Sequence, residues 1–169
     1  MDKYRIFAID PSINYLGWAV MELDTVVASG TINASVMQKA DFVERLGWMT
    51  AALQDVVEDF EFDHIVIERP EQWGAYKSMA SGASGSLQML TLIVGALTYW
   101  AVIMSGVENT RLITVTQWKG QTPKHITKRR MEEKYHTRFK TDHEADAVGI
   151  GSYFLGVVNG TKERSTNNV

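Results

Sequence analysis

The chain has 169 residues, 45% of them hydrophobic and 22% charged, which is the balance of an ordinary globular chain with a sizeable core and excludes a disordered one. The absence of cysteine excludes disulfides and thiolate metal sites, so any metal must be held by carboxylate, imidazole or backbone oxygen. A net charge of −3 argues against nucleic acid, but residues 1–118 hold seven basic and fourteen acidic side chains while Lys119 to Lys140 hold eight basic and two acidic, a local patch able to meet phosphate.

In chain order, Met1 to Arg5 lead straight into a strand-like run without a signal-peptide pattern, so a cytoplasmic protein is expected. Three short strands are predicted at 4–10, 15–21 and 25–33, rich in Ile, Val, Phe and Trp and separated by turn residues, with Gly30 read as a bulge or bend. The first ends in Asp10 before Pro11-Ser12. Apolar residues from Phe42 through Leu46, Met49, Leu53, Val56 and Val57 to Phe60 repeat at three- and four-residue spacing, which predicts a helix within 37–60. A compact apolar strand over 63–68 ends in a second acid, Glu68, and Arg69-Pro70 stops it.

Residues 69–86 form a long irregular stretch rich in Gly and Ser, carrying Trp73, Tyr76 and Lys77, and a loop of that length is usually functional. The nearly continuous apolar run 87–104 raises the question of a membrane span. Gln88, Thr91 and Thr98 interrupt it and basic flanks are missing, so a buried core or dimer-interface helix is expected, and no membrane. A fifth strand is predicted over 110–116 and a basic helix over 124–136 behind Pro123. Thr141-Asp142-His143-Glu144 has the form of a capping box that opens the last helix. The reading is one domain over 1–158 and a flexible polar tail over 159–169.

Asp10 and Glu68 therefore end two strands, and Asp146 lies in the first turns of the last helix, with Asp142 and His143 able to share its face. If the fourth strand lies parallel beside the first, both strand-end acids emerge at one sheet edge. Such ligands suit a hard cation, Mg²⁺ or Mn²⁺, and a pair of ions about 4 Å apart is the two-metal solution for phosphodiester cleavage. Each residue also has an ordinary reading: Asp10 forms a turn, Glu68 caps a loop, Asp146 balances a helix dipole, and His143 lies on the surface. Their joint placement favours a site.

The element order resembles the ribonuclease H-like fold, a five-stranded mixed α/β sheet of three antiparallel strands followed by two parallel ones, flanked by helices. Ile9-Asp10-Pro11-Ser12 with Gly17-Trp18, Ile67-Glu68-Arg69-Pro70, His143-Glu144-Ala145-Asp146-Ala147, and Trp118-Lys119-Gly120 followed by Pro123-Lys124 resemble the RuvC family of Holliday-junction resolvases, its phage members most closely. The similarity spans about residues 4–156. It implies a metal-dependent endonuclease that makes paired nicks in four-way junctions, with other branched DNA as a further candidate substrate, leaving 5′-phosphate and 3′-hydroxyl ends. It implies two Mg²⁺ or Mn²⁺ ions per site, with Asp10, Glu68, His143 and Asp146 as catalytic and metal-binding residues and Asp142 as an additional candidate. It also implies a homodimer, no nucleotide cofactor, and the bacterial host cytoplasm if phage-encoded. Lys77, Lys119, Lys124, Lys128 and Arg129 are the expected DNA contacts, with Trp73 and Tyr76 at unpaired bases or simply packed on the core. The alternatives are an RNA–DNA hybrid nuclease of the same fold, an actin-like ATP-binding domain, and a non-catalytic junction-binding module. The actin-like reading is weakened by the glycine-poor turn Pro11-Ser12-Ile13-Asn14.

Overall fold

The computed structural model describes residues 4–23, 25–37, 39–71 and 85–166, with backbone alone for Lys124 and residues 160–166. Five strands form one sheet in the order β3-β2-β1-β4-β5: β1 Arg5–Pro11, β2 Tyr15–Glu22, β3 Thr25–Asn33, β4 His64–Arg69 and β5 Thr110–Thr114. β1, β2 and β3 pair antiparallel, while β4 lies parallel to both β1 and β5. The parallel pairs follow from the helices between them: α1 Phe42–Val57 connects β3 to β4, and α2 Ser86–Ser105 precedes β5. α3 Val115–Trp118, α4 Lys124–Tyr135 and α5 Asp142–Thr166 complete the chain.

Alternation along the strands divides the core into two layers. Phe7, Ile9, Val20, Ile65 and Ile67 face α1 and α2. Ile6, Ala8, Ala19, Met21 and Val66 face α5. All of these side chains are fully buried, and each one larger than alanine contributes about 1.5–3 kcal/mol of apolar stabilisation. α2 has length and hydropathy enough to cross a membrane. It buries Ile93, Val94, Leu97 and Ala101 against the sheet and exposes Leu92, Tyr99 and Ile103 on its other side.

Several boundaries differ from the sequence reading for local reasons. α1 begins at Phe42 because Asp41 and Glu44 cap it reciprocally, Asp41 Oδ1 accepting from Glu44 N at 2.8 Å and Glu44 Oε2 from Asp41 N at 3.1 Å. The irregularity in the β2–β3 pair lies opposite Val20 and Met21, at Val27, and not at Gly30. Gly30 instead makes room for the Trp18 ring, which an added Cβ would approach to 2.8 Å. The fifth strand stops at Thr114, whose side chain caps α3. The capping box at Thr141 is half formed: Thr141 Oγ1 accepts from Glu144 N at 3.0 Å. Glu144 itself, 6% exposed, accepts from Lys140 N at 2.7 Å and from the Ser29 hydroxyl of β3 at 2.8 Å. The backbone of α5 continues to Thr166, past residue 159, where the sequence reading ends the helix.

Candidate active site

Strand parity delivers the two strand-end acids to one face. Ile9 of β1 pairs with Ile67 of β4, so Asp10 and Glu68 are the next residues on adjacent parallel strands. Asp10 shares the parity of Ile6 and Ala8, and Glu68 that of Val66, residues that pack on the α5 side. Pro11 ends β1, and Ser12 closes the turn by donating its N–H to the Tyr15 carbonyl at 2.8 Å and accepting from Tyr15 N at 3.0 Å. α5 lies across this face and brings His143 and Asp146. Its approach at this end depends on Gly17 of β2, where an added Cβ would lie 2.0 Å from the His143 carbonyl oxygen.

Each of the three acids receives one nitrogen donor from the chain. His143 Nδ1–H donates to Asp10 Oδ2 at 2.6 Å, and the His143 ring is stacked on Tyr15 with centroids 5.5 Å apart. Trp118 Nε1–H donates to Glu68 Oε2 at 2.6 Å. Lys119 Nζ donates to Asp146 Oδ2 at 2.8 Å and lies 4.5 Å from the centre of the Trp118 ring. Asp10 and Asp146 are 5% and 2% exposed, depths at which a carboxylate needs such partners.

The turn that supplies two of these donors is held firmly. Thr114 Oγ1 accepts from Gln117 N at 3.3 Å and Gln117 Oε1 from Thr114 N at 2.8 Å. Glu71, just after β4, accepts from Thr116 N and Oγ1 at 3.1 and 2.6 Å. The Trp118 ring lies against Gly149 of α5, where an added Cβ would come within 2.4 Å of it.

Glu68 is the acid whose ionisation the site disfavours. Burial, and then the neighbouring Asp10 carboxylate, push its pKa up from the usual carboxylate range to about 7; the Trp118 N–H and the Lys119 ammonium pull the other way, and Asp146 adds to the rise. Three carboxylates and an imidazole on one face form a donor set that fits a divalent cation. Among the described residues, no three acidic or histidine side chains are gathered into a ready-made cation site.

Of the other residues singled out in the sequence, Asp142 stands apart from the acids, its side chain 51% exposed and 3.9 Å from Lys128 Nζ. Arg129 is exposed and paired with Glu133 at 2.8 Å. Only the backbone of Lys124 is described, and Trp73, Tyr76 and Lys77 lie outside the described residues. Lys119 is drawn into the acid cluster and is not on an outer basic face. The sequence reading did not foresee Trp118 as a partner of Glu68, or Tyr15 as the ring against His143. The available signal was a tryptophan in a polar turn directly after a strand.

No family profile and no curated protein sequence matches the chain significantly. Solved structures do share its fold. The RuvC of Thermus thermophilus in complex with a Holliday junction substrate superposes with a TM-score of 0.71 at 18% identity, covering 94% of this chain and 97% of that one. A second Thermus thermophilus RuvC structure gives 0.61 at 19% identity, with 93% and 97% covered. The yeast mitochondrial Holliday junction resolvase Ydc2 gives 0.52 at 14%, with 90% and 78% covered. The chain thus has the ribonuclease H-like fold of these resolvases, a five-stranded mixed sheet flanked by helices.

Proposed function

We propose that the chain is a structure-selective DNA endonuclease that resolves Holliday junctions by paired, metal-dependent nicks. The observation that carries this reading is the delivery of Asp10 and Glu68 by adjacent parallel strands to the face where α5 presents His143 and Asp146. The fold shared with a RuvC solved on a Holliday junction substrate supports the choice of DNA.

Asp10, Glu68, Asp146 and His143 would hold Mg²⁺ or Mn²⁺, two ions per site. What such ions supply is Lewis-acid stabilisation of the attacking and leaving oxygens of an in-line displacement. The chain's own residues do the positioning. His143 fixes the Asp10 carboxylate through Nδ1, and Tyr15 fixes the imidazole plane. Trp118 orients Glu68 through its indole N–H. Lys128 and Arg129 of α4 contribute sequence-independent phosphate contact. A second copy of the chain supplies the second nick; the exposed apolar side of α2 is the interface candidate.

The test is an assay of the purified protein on a four-way junction, linear duplex and RNA–DNA hybrid with Mg²⁺ or Mn²⁺, beside Asp10→Asn. The wild type is expected to nick the junction symmetrically. Asp10→Asn is expected to abolish nicking while mobility-shift binding of the junction is largely retained. Intact junctions under both metals end this reading, and cleavage of the hybrid alone replaces it with a hybrid nuclease.

A further inference from the structure

Two of the three acids are partnered by neutral or titratable rings, Glu68 by the Trp118 indole and Asp10 by the His143 imidazole. Asp146 alone is partnered by an ammonium. We propose that Lys119 is the resident counter-ion of the metal-free site, held on Asp146 in the place of a divalent cation and displaced when one binds. The proposal rests on the metal-dependent reading of the site given above.

The burial of Lys119 sets it apart within the basic segment. Arg129 and Arg138 have side chains 74% and 92% exposed, whereas that of Lys119 is 11% exposed and lies against an Asp146 side chain that is 3% exposed. A lysine kept for phosphate would be expected to face solvent. Lys119 is instead gripped twice, by the Asp146 carboxylate at 2.8 Å and by the face of the Trp118 ring at 4.5 Å. The same ring donates to Glu68, so the adjacent residues Trp118 and Lys119 engage two of the acids. Asp146 sits too deep to remain ionised at low cost without a counter-charge, and the ammonium supplies one from within the chain.

The arrangement accounts for a site whose donors suit a cation although no three of them, among the described residues, are gathered around one point. A cation that takes Asp146 must first compete with the ammonium. Lysine suits that exchange, being a point charge on a flexible stem able to swing away without disturbing the backbone. Lys119 thereby sets a threshold for metal binding and offsets part of the repulsion among the acids before the metal arrives.

The experiment is isothermal titration of Mn²⁺ into the full chain without DNA, together with melting temperatures with and without Mn²⁺, for wild type, Lys119→Met and Asp10→Asn. Lys119→Met is expected to melt lower than wild type without metal, to gain more from Mn²⁺, and to bind Mn²⁺ about tenfold more tightly, the direction set by removing a competing charge. Equal or weaker Mn²⁺ binding by Lys119→Met overturns the proposal. Should that variant fail to fold, Lys119→Gln, which keeps a donor on Asp146 without the charge, carries the same expectation and the same refutation. No Mn²⁺ binding by either wild type or Lys119→Met, or wild-type binding that Asp10→Asn leaves unchanged, overturns the nuclease reading itself. Wild-type binding that Asp10→Asn weakens and Lys119→Met does not strengthen overturns only the role of Lys119.

Discussion

At the scale of single residues, Glu68 couples the site to pH. Its pKa in the folded chain is pushed up from 4.5 to about 7, so the folded state keeps a proton that the unfolded chain gives up near 4.5. Between those values the folded state binds more protons than the unfolded one, and stability falls as pH rises through that window. The metal-free protein is therefore expected to melt at a lower temperature at about pH 7.5 than at about pH 5.5, and Glu68→Gln to remove most of that slope. A slope that persists in Glu68→Gln would locate its source elsewhere. The Trp118 N–H acts in the opposite sense, because it favours the ionised carboxylate. Trp118→Phe keeps the ring against Gly149 but loses that donor, and is expected to extend the window upward by about one to two pH units, the size of a charge-assisted hydrogen bond of about 1.5–3 kcal/mol. Melting curves of Trp118→Phe across the same pH range measure it.

At the scale of elements, the site depends on how closely α5 approaches the sheet. Gly17→Ala would drive a methyl into the His143 carbonyl, backbone against backbone, and neither partner yields without moving the start of α5. Gly149→Ala meets the Trp118 ring instead, and that ring is able to give way at the expense of Glu68. Gly149→Ala is thus expected to cost about 1–3 kcal/mol and to lose nicking activity beyond what its stability predicts; Gly17→Ala is expected to cost more. Gly156, a helical glycine with open space around it, is the control: Gly156→Ala is expected to stabilise by about 0.5–1 kcal/mol. Equal denaturation midpoints for all three variants would show that the approach is not tight. The same elements mark what was legible in the sequence. Strands whose apolar runs end in turn residues were readable, and so were the helices with regular apolar spacing, because burial writes those periods directly into the chain. Asp10, Glu68 and Asp146 stood out because a carboxylate at the end of a buried strand or the start of a buried helix is costly without a purpose, and His143 because it shares a helix face with Asp146 and matches the resolvase motif. Trp118, Tyr15 and Glu144 were not legible. Their partners lie 50, 128 and 115 residues away in the sequence, and no local period records such contacts. The pairing of Lys119 with Asp146 was not legible for a related reason: charge composition gives the sign of a segment but not which of its members turns inward.

At the scale of the whole molecule, the exposed side of α2 is the feature that folding of one chain leaves unexplained. Leu92, Tyr99 and Ile103 are 59%, 71% and 67% exposed. Beside them α1 and α2 enclose an apolar groove of about 640 Å³ lined by Val43, Leu46 and Trp100 among others. Contiguous apolar surface on this scale marks an interaction site more often than idle surface. Two nicks in a four-way junction require two sites held in fixed relation, and a twofold contact along α2 would provide that relation with one patch used twice. The wild type is expected to sediment as a dimer. A double variant Tyr99→Glu and Ile103→Glu is expected to sediment as a monomer with its melting temperature nearly unchanged, since both side chains already face solvent. On a junction the monomer is expected to make the first nick but to lose the tethering that brings the second, slowing it by about tenfold or more relative to the first. A cruciform plasmid, in which one nick relaxes the junction and two nicks close together linearise it, separates the two events. Linear product from the double variant at the wild-type rate would mean that the paired cuts do not depend on this face, and a wild type that sediments as a monomer both free and on the junction would remove the dimer altogether.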